Sequence, residues 1–268
     1  MTKMTRPFLV LLAAALAPAA LAQSAPNGAP ANPGNATMHV DGAAAATLDW
    51  GALVGASARV VYLGDVPASV AIKRALSGAM PALEHAGAGV LAVEMLRAGD
   101  QALLDQYGSD PDVRGRVGAL IGNAWGAPAE EYLKLLDAAH AAQLELRALS
   151  PDPKPGEADA PYAAVGPAAK SARDARMAAT LAALSRRPGG GVVLAFVGAD
   201  RARRGAQPAR LRDDGVASRS YAFAEPSDPA VARLSVAGLD AGTWLLPGDD
   251  DFDGLIYVPA VERESSAR

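Results

Sequence analysis

Three apolar runs in this sequence each lead into charged residues, and the chemistry open to the chain begins there. Val60-Val-Tyr-Leu-Gly-Asp65 closes on Asp65, Val90-Leu-Ala-Val-Glu94 closes on Glu94, and Val192-Val-Leu-Ala-Phe-Val197 runs through Gly198 to Asp200 and Arg201. A buried parallel strand reads as such a run, and in open α/β sheets ligands bind at the carboxyl ends of the strands. A carboxylate at that rim can serve as a general base. An arginine beside it can stabilise an oxyanion, or clamp a carboxylate or phosphate through its planar fork.

The elements that must position these groups follow from periodicity. The pattern predicts strands over 60–63, 90–94, 144–149 and 192–197, with later strands at 218–223 and 255–258. Helices are expected over 69–85, 101–107, 111–121, 128–142 and 168–186, with a short one from about Pro208. Ser69 is placed to cap the first of these and Gly87 to stop it. On 128–142, Tyr132, Leu133, Leu135, Leu136 and Ala139 form a buried stripe. Strands alternating with helices, without an internal repeat, argue for a single-domain α/β fold with a mostly parallel central sheet flanked by helices.

At the N-terminus Lys3 and Arg6 precede an apolar run from Phe8 to Ala22 that ends in Ala20-Leu-Ala22. This is the pattern of a secretory signal peptide over residues 1–22, so the mature chain is expected in the periplasm or secreted, with no membrane anchor after cleavage. Residues 23–42 are rich in Ala, Pro and Gly and read as a flexible leader; the domain proper is expected over 43–262, with a short tail at 263–268. Removing residues 1–22 takes away Lys3 and Arg6 and no acid, so the formal charge of −4 becomes −6. A mildly acidic chain of this kind is no general nucleic-acid binder. Without cysteine there are no disulfides and no thiolate metal sites.

Of the three histidines, His39 lies in the leader, His85 in the last turn of a helix where a cation suits the helix dipole, and His140 at the border of a buried stripe, where a half-buried, satisfied side chain is expected. Five arginines between Arg201 and Arg212 read either as solvated loop charges or as an anion clamp. Asp249-Asp-Asp-Phe-Asp253 has the acidity of a calcium loop but not its spacing or closing Glu. The Pro- and Gly-rich stretch 151–167 is long for a connection and reads as a lid or a disordered excursion.

Val61-Tyr-Leu-Gly-Asp-Val-Pro67, Leu91-Ala-Val-Glu-Met-Leu96, Ala172-Arg-Asp-Ala-Arg-Met-Ala178, Val193-Leu-Ala-Phe-Val-Gly-Ala-Asp-Arg201 and Phe252-Asp-Gly-Leu-Ile-Tyr-Val-Pro259 together resemble the ChaN-like branch of the haem-binding uptake and Tiki superfamily, which also includes erythromycin esterase-like enzymes. The resemblance implies Gly-Glu-x-His at the end of the first strand, a Glu at the end of the second, an Arg with an acidic neighbour on a helix, and Gly-x-x-His after a later strand. Gly64, Glu94 and Arg173-Asp174 match; Asp65 replaces the Glu; Pro67 and Arg201 stand at the two histidine positions. Neither replacement can act as a base near neutral pH, which points away from an enzyme and names no metal ligand.

The resemblance therefore implies a non-catalytic exported protein that binds haem or another anionic small molecule at the rim, through Asp65, Glu94, Arg173 and Arg201. Tyr62, Tyr107, Tyr132 and Tyr162 are its candidate haem ligands. The alternatives are an esterase-like hydrolase with Glu94 or Asp65 as base, and an inactive remnant in which the four charged residues only pair with one another.

Overall fold

The β-strand core begins earlier in the chain than composition suggests. In the computed structural model, which describes residues 37–40, 43–55, 57–125, 129–153, 166–226, 231 and 243–259, strand β1 (Thr37–Val40) pairs antiparallel with β2 (Ala43–Thr47). Thr37–Val40 falls within the stretch read as leader. Thr37-Met-His-Val40 is too short to show a period and Ala43–Thr47 carries only small side chains, so neither marks a strand by its sequence, and the pairing between them defines both. The signal peptide at 1–22, Tyr162 and the tail at 263–268 lie outside the described residues. So does most of the 151–167 excursion.

Helix α1 (Trp50–Val54) follows, capped by Asp49, and then β3 (Val60–Asp65) and α2 (Val70–His85). Ser69 caps α2 by accepting from the Ile72 amide at 3.2 Å. Strand β4 (Ala88–Arg97) leads through α3 (Gln101–Leu104), α4 (Pro111–Trp125) and α5 (Ala129–Ala141) to β5 (Glu145–Ser150). Helix α6 (Pro167–Ser185) returns the chain to β6 (Val192–Gly198). The helical turn α7 (Ala199–Ala202) and α8 (Gln207–Asp213) connect to β7 (Ser218–Ala224), and β8 (Trp244–Pro247) and β9 (Gly254–Tyr257) complete the sheet.

Among the described residues nine strands make one sheet in the order β1-β2-β8-β9-β7-β3-β6-β4-β5. From β9 to β5 the neighbours are parallel; β1, β2 and β8 add an antiparallel extension. The fold is thus a mixed α/β domain with a mostly parallel centre. All described residues fall within one compact unit, Gly34–Arg268. No helix among them is long and apolar enough to cross a membrane.

Alternate residues of each central strand serve opposite faces. Val61, Leu63, Leu91 and Val93 pack with α2, α4 and α5 on one side. Val60, Tyr62, Val90 and Ala92 pack with α6, α7 and α8 on the other. The connections leaving β3 and β4 therefore lie on one face, and the connection leaving β6, which sits between those two strands, lies on the other. A sheet whose connections part in this way opens a crevice at the strand ends.

Candidate functional site

Asp65, the last residue of β3, is buried and held from two helices. Lys73 of α2 donates to its Oδ1 at 2.6 Å, and the Tyr132 hydroxyl of α5 donates to its Oδ2 at 2.5 Å. The same Lys73 ammonium donates to the backbone carbonyls of Val66 at 2.7 Å and Pro67 at 3.0 Å. It lies 4.7 Å from the centre of the Tyr132 ring, within cation–π range. Lys73 is 0 % exposed. Burial raises the Asp65 pKa, against the opposing pull of Lys73 and the Tyr132 bond. Burial lowers that of Lys73, with Asp65 opposing.

Glu94 on β4 anchors the second half. Arg201 of α7 contacts Glu94 Oε1 through Nη1 at 2.5 Å, and the Gly198 amide at the end of β6 donates to Oε2 at 2.8 Å. Arg201 Nε reaches Asp174 of α6 at 3.2 Å, and that same carboxylate oxygen accepts from Gln207 of α8 at 3.2 Å. Burial drives the Glu94 carboxyl above its ordinary range, and Arg201 pulls it back.

Two glycines make this approach possible. A Cβ on Gly64 would lie 3.0 Å from the Ala199 Cα, so a side chain there would push α7 off the end of β3. A Cβ on Gly198 would lie 3.1 Å from Arg201 Nη1, within the space the guanidinium needs to meet Glu94. Where α7 begins, the sequence suggests a loop. Close packing on Gly64 turns it into a helical turn that carries Arg201 inward.

Between the two halves lies a cavity of about 10 Å³, lined by Asp65, Pro67, Glu94, Tyr132, Phe196 and Gly198 among others. That is room for about one water molecule. The structure thus brings Asp65, Glu94 and Arg201 to one rim, while Arg173 is half-buried on α6, beside Asp174, the residue that reaches Arg201. Lys73 was absent from the residues picked out by sequence, although a signal was there: it falls on the buried stripe of α2, between Ile72 and Leu76. A charge on an apolar stripe, one turn past a strand-end carboxylate, is a candidate partner for that carboxylate.

The other charged stretches largely account for one another. Arg203 meets Asp251 at 3.3 Å and Arg204 meets Asp253 at 3.1 Å, so part of the arginine-rich segment and the acidic 249–253 loop form a clasp. His140 is exposed rather than half-buried, with its ring edge-on to Tyr107 at 6.3 Å between centres.

A haem needs an apolar slot and an axial ligand. The rim cavity is far too small, and its walls carry two carboxylates. A broader depression of about 490 Å³ lies between α2 and α5, but its lining, including Gly78, Pro81, Ala138 and Ala141, offers no His, Tyr, Met or Cys. Tyr62, Tyr107 and Tyr132 are buried, and burial raises the pKa of each phenol, which opposes a phenolate ligand. Neither depression fits a haem.

In fold the chain is similar to the type III effector HopBA1, at 16 % identity over 80 % of this chain and 92 % of that one, with a TM-score of 0.56. ChaN of Campylobacter jejuni, whose structure is described by its cofacial haem binding, aligns at 14 % identity over 76 % and 89 % of the two chains, with a TM-score of 0.49. No curated protein sequence matches the chain. Residues 54–154, from the end of α1 past β5, match the family described as haem-binding uptake, Tiki superfamily, ChaN, and over that segment the resemblance carried by the strand-end motifs is a family match.

Proposed function

We propose that this chain is a non-catalytic binding protein of the haem-uptake kind, exported to the periplasm or beyond, that carries haem or another anionic small molecule. The ligand class rests on the family match of residues 54–154. The observation behind the non-catalytic part is that both rim carboxylates are committed to cations of the chain itself, Asp65 to Lys73 and Glu94 to Arg201. With those cations engaged and room for about one water between them, the rim serves to hold the strand ends, and a ligand of haem size would have to bind outside both depressions. Titration of the purified chain with haemin is expected to give a shifted Soret band that saturates at a fixed stoichiometry. A titration without a saturable shift would refute the haem assignment.

One observation favours a second reading, a hydrolase. Asp65 and Glu94, both shifted by burial toward holding a proton, line the same cavity at the crevice of the sheet. Carboxylates tuned upward at such a place suit general acid–base work. Under this reading a panel of esters and lactones shows turnover that disappears in Glu94→Gln. Turnover that persists in the variant removes Glu94 from the mechanism, and none in the wild type removes the reading.

A further inference from the structure

The Lys73 ammonium is met by three oxygens. Two of its three acceptors, the carbonyls of Val66 and Pro67, belong to the backbone of the β3–α2 turn, and the third is Asp65 Oδ1. Three oxygens converging on one buried point, with an aromatic face 4.7 Å away, are the makings of a cation site. One carboxylate, Asp65, contacts the ammonium, and a second, Glu225, acts on it from farther away. The three protons of the ammonium group match the three acceptors.

We propose that Asp65, the Val66 and Pro67 carbonyls and the Tyr132 ring form a monovalent-cation site whose occupant is tethered to the protein as Lys73, and that the site accepts a free alkylammonium ion once the tether is cut. Lys73 is then a positioning residue for Asp65, fixing one carboxylate oxygen while Tyr132 fixes the other.

The test is chemical rescue followed by thermal unfolding at constant ionic strength. Lys73→Ala is expected to melt well below the wild type, and methylammonium or propylammonium to recover more than half of the loss in a saturable manner. Tetramethylammonium, which has no N–H to donate, is expected to recover none of it, and the wild type to be indifferent to all three. Equal responses of wild type and variant, or no recovery with any amine, would overturn the proposal. A measurement on the wild type covers the case in which the variant does not fold. Nitrogen-15 NMR should show one lysine ammonium group in slow exchange with water among the five lysines of the chain. If every lysine side chain exchanges rapidly, Lys73 is not held as a fully bonded ammonium, and the site as described does not exist.

Discussion

Tyr62 sits in the middle of β3 with its ring on the α6 side of the sheet, 0 % exposed. Its hydroxyl has no hydrogen-bond partner among the described residues, and burial followed by the nearby Asp174 carboxylate raises its pKa. A buried hydroxyl left unbonded costs about 1–3 kcal/mol, so Tyr62→Phe should leave the free energy of urea unfolding unchanged or raise it by about 1 kcal/mol. A clear loss of stability would instead reveal a buried water bonded to that oxygen. At this scale the sequence was half legible. Asp65, Glu94 and Arg201 could be found because each closes or follows an apolar run. Lys73 was hidden because a lysine on a helix is ordinarily solvated, and only the burial of the whole stripe shows otherwise. Tyr132 could be placed in the core from its spacing, but its bond to Asp65 depends on how α5 lies against α2, which no local pattern encodes.

Helices α2 and α5, which supply Lys73 and Tyr132, are also tied farther out. Glu131 accepts from Arg74 through Nε and Nη2, at 3.3 and 3.2 Å, and from Lys134 at 3.0 Å. The Arg74 hydrogen bonds, helped by Lys134, hold the Glu131 carboxyl below its ordinary range. A carboxylate with a folded pKa below its unfolded value adds stability that is present above the unfolded value, about 4.5, and is lost as the pH falls through the folded value. Glu131→Gln should therefore melt below the wild type at pH 7, and the two curves should converge in acid as the pH falls through the lowered value of the folded carboxyl. A gap that stays constant with pH would mean that the ion pairs add nothing. As elements, the helices and central strands matched expectation because their periodicity is strong and their side chains are large. β8 was missed because four residues ending in Pro247 are too few to show a period. The hairpin β1–β2 was missed because its side chains are mostly small, and its order comes from a partner distant in sequence.

At the scale of the whole molecule, the family match stops at residue 154, before α6, β6 and α7 have been reached. The matched segment supplies Asp65, Lys73, Glu94 and Tyr132, while Asp174, Gly198 and Arg201 come from beyond it. The rim therefore joins residues inside the matched segment to residues beyond it. The fold class was readable from alternation alone, whereas the antiparallel extension depends on which distant strands meet. That extension governs the order in which the molecule can be completed. Strand β2 pairs with β1 on one edge, and on the other it meets β8, about 200 residues later, which is itself anchored by β9 at the end of the described chain. Without β8 the first hairpin therefore has one edge open. Contacts this distant in sequence are paid for in loop entropy before they return any stability. The seam between β2 and β8 joins the two ends of the described sheet-forming chain, and a chain cut short before β8 would be left with an unsealed, association-prone border.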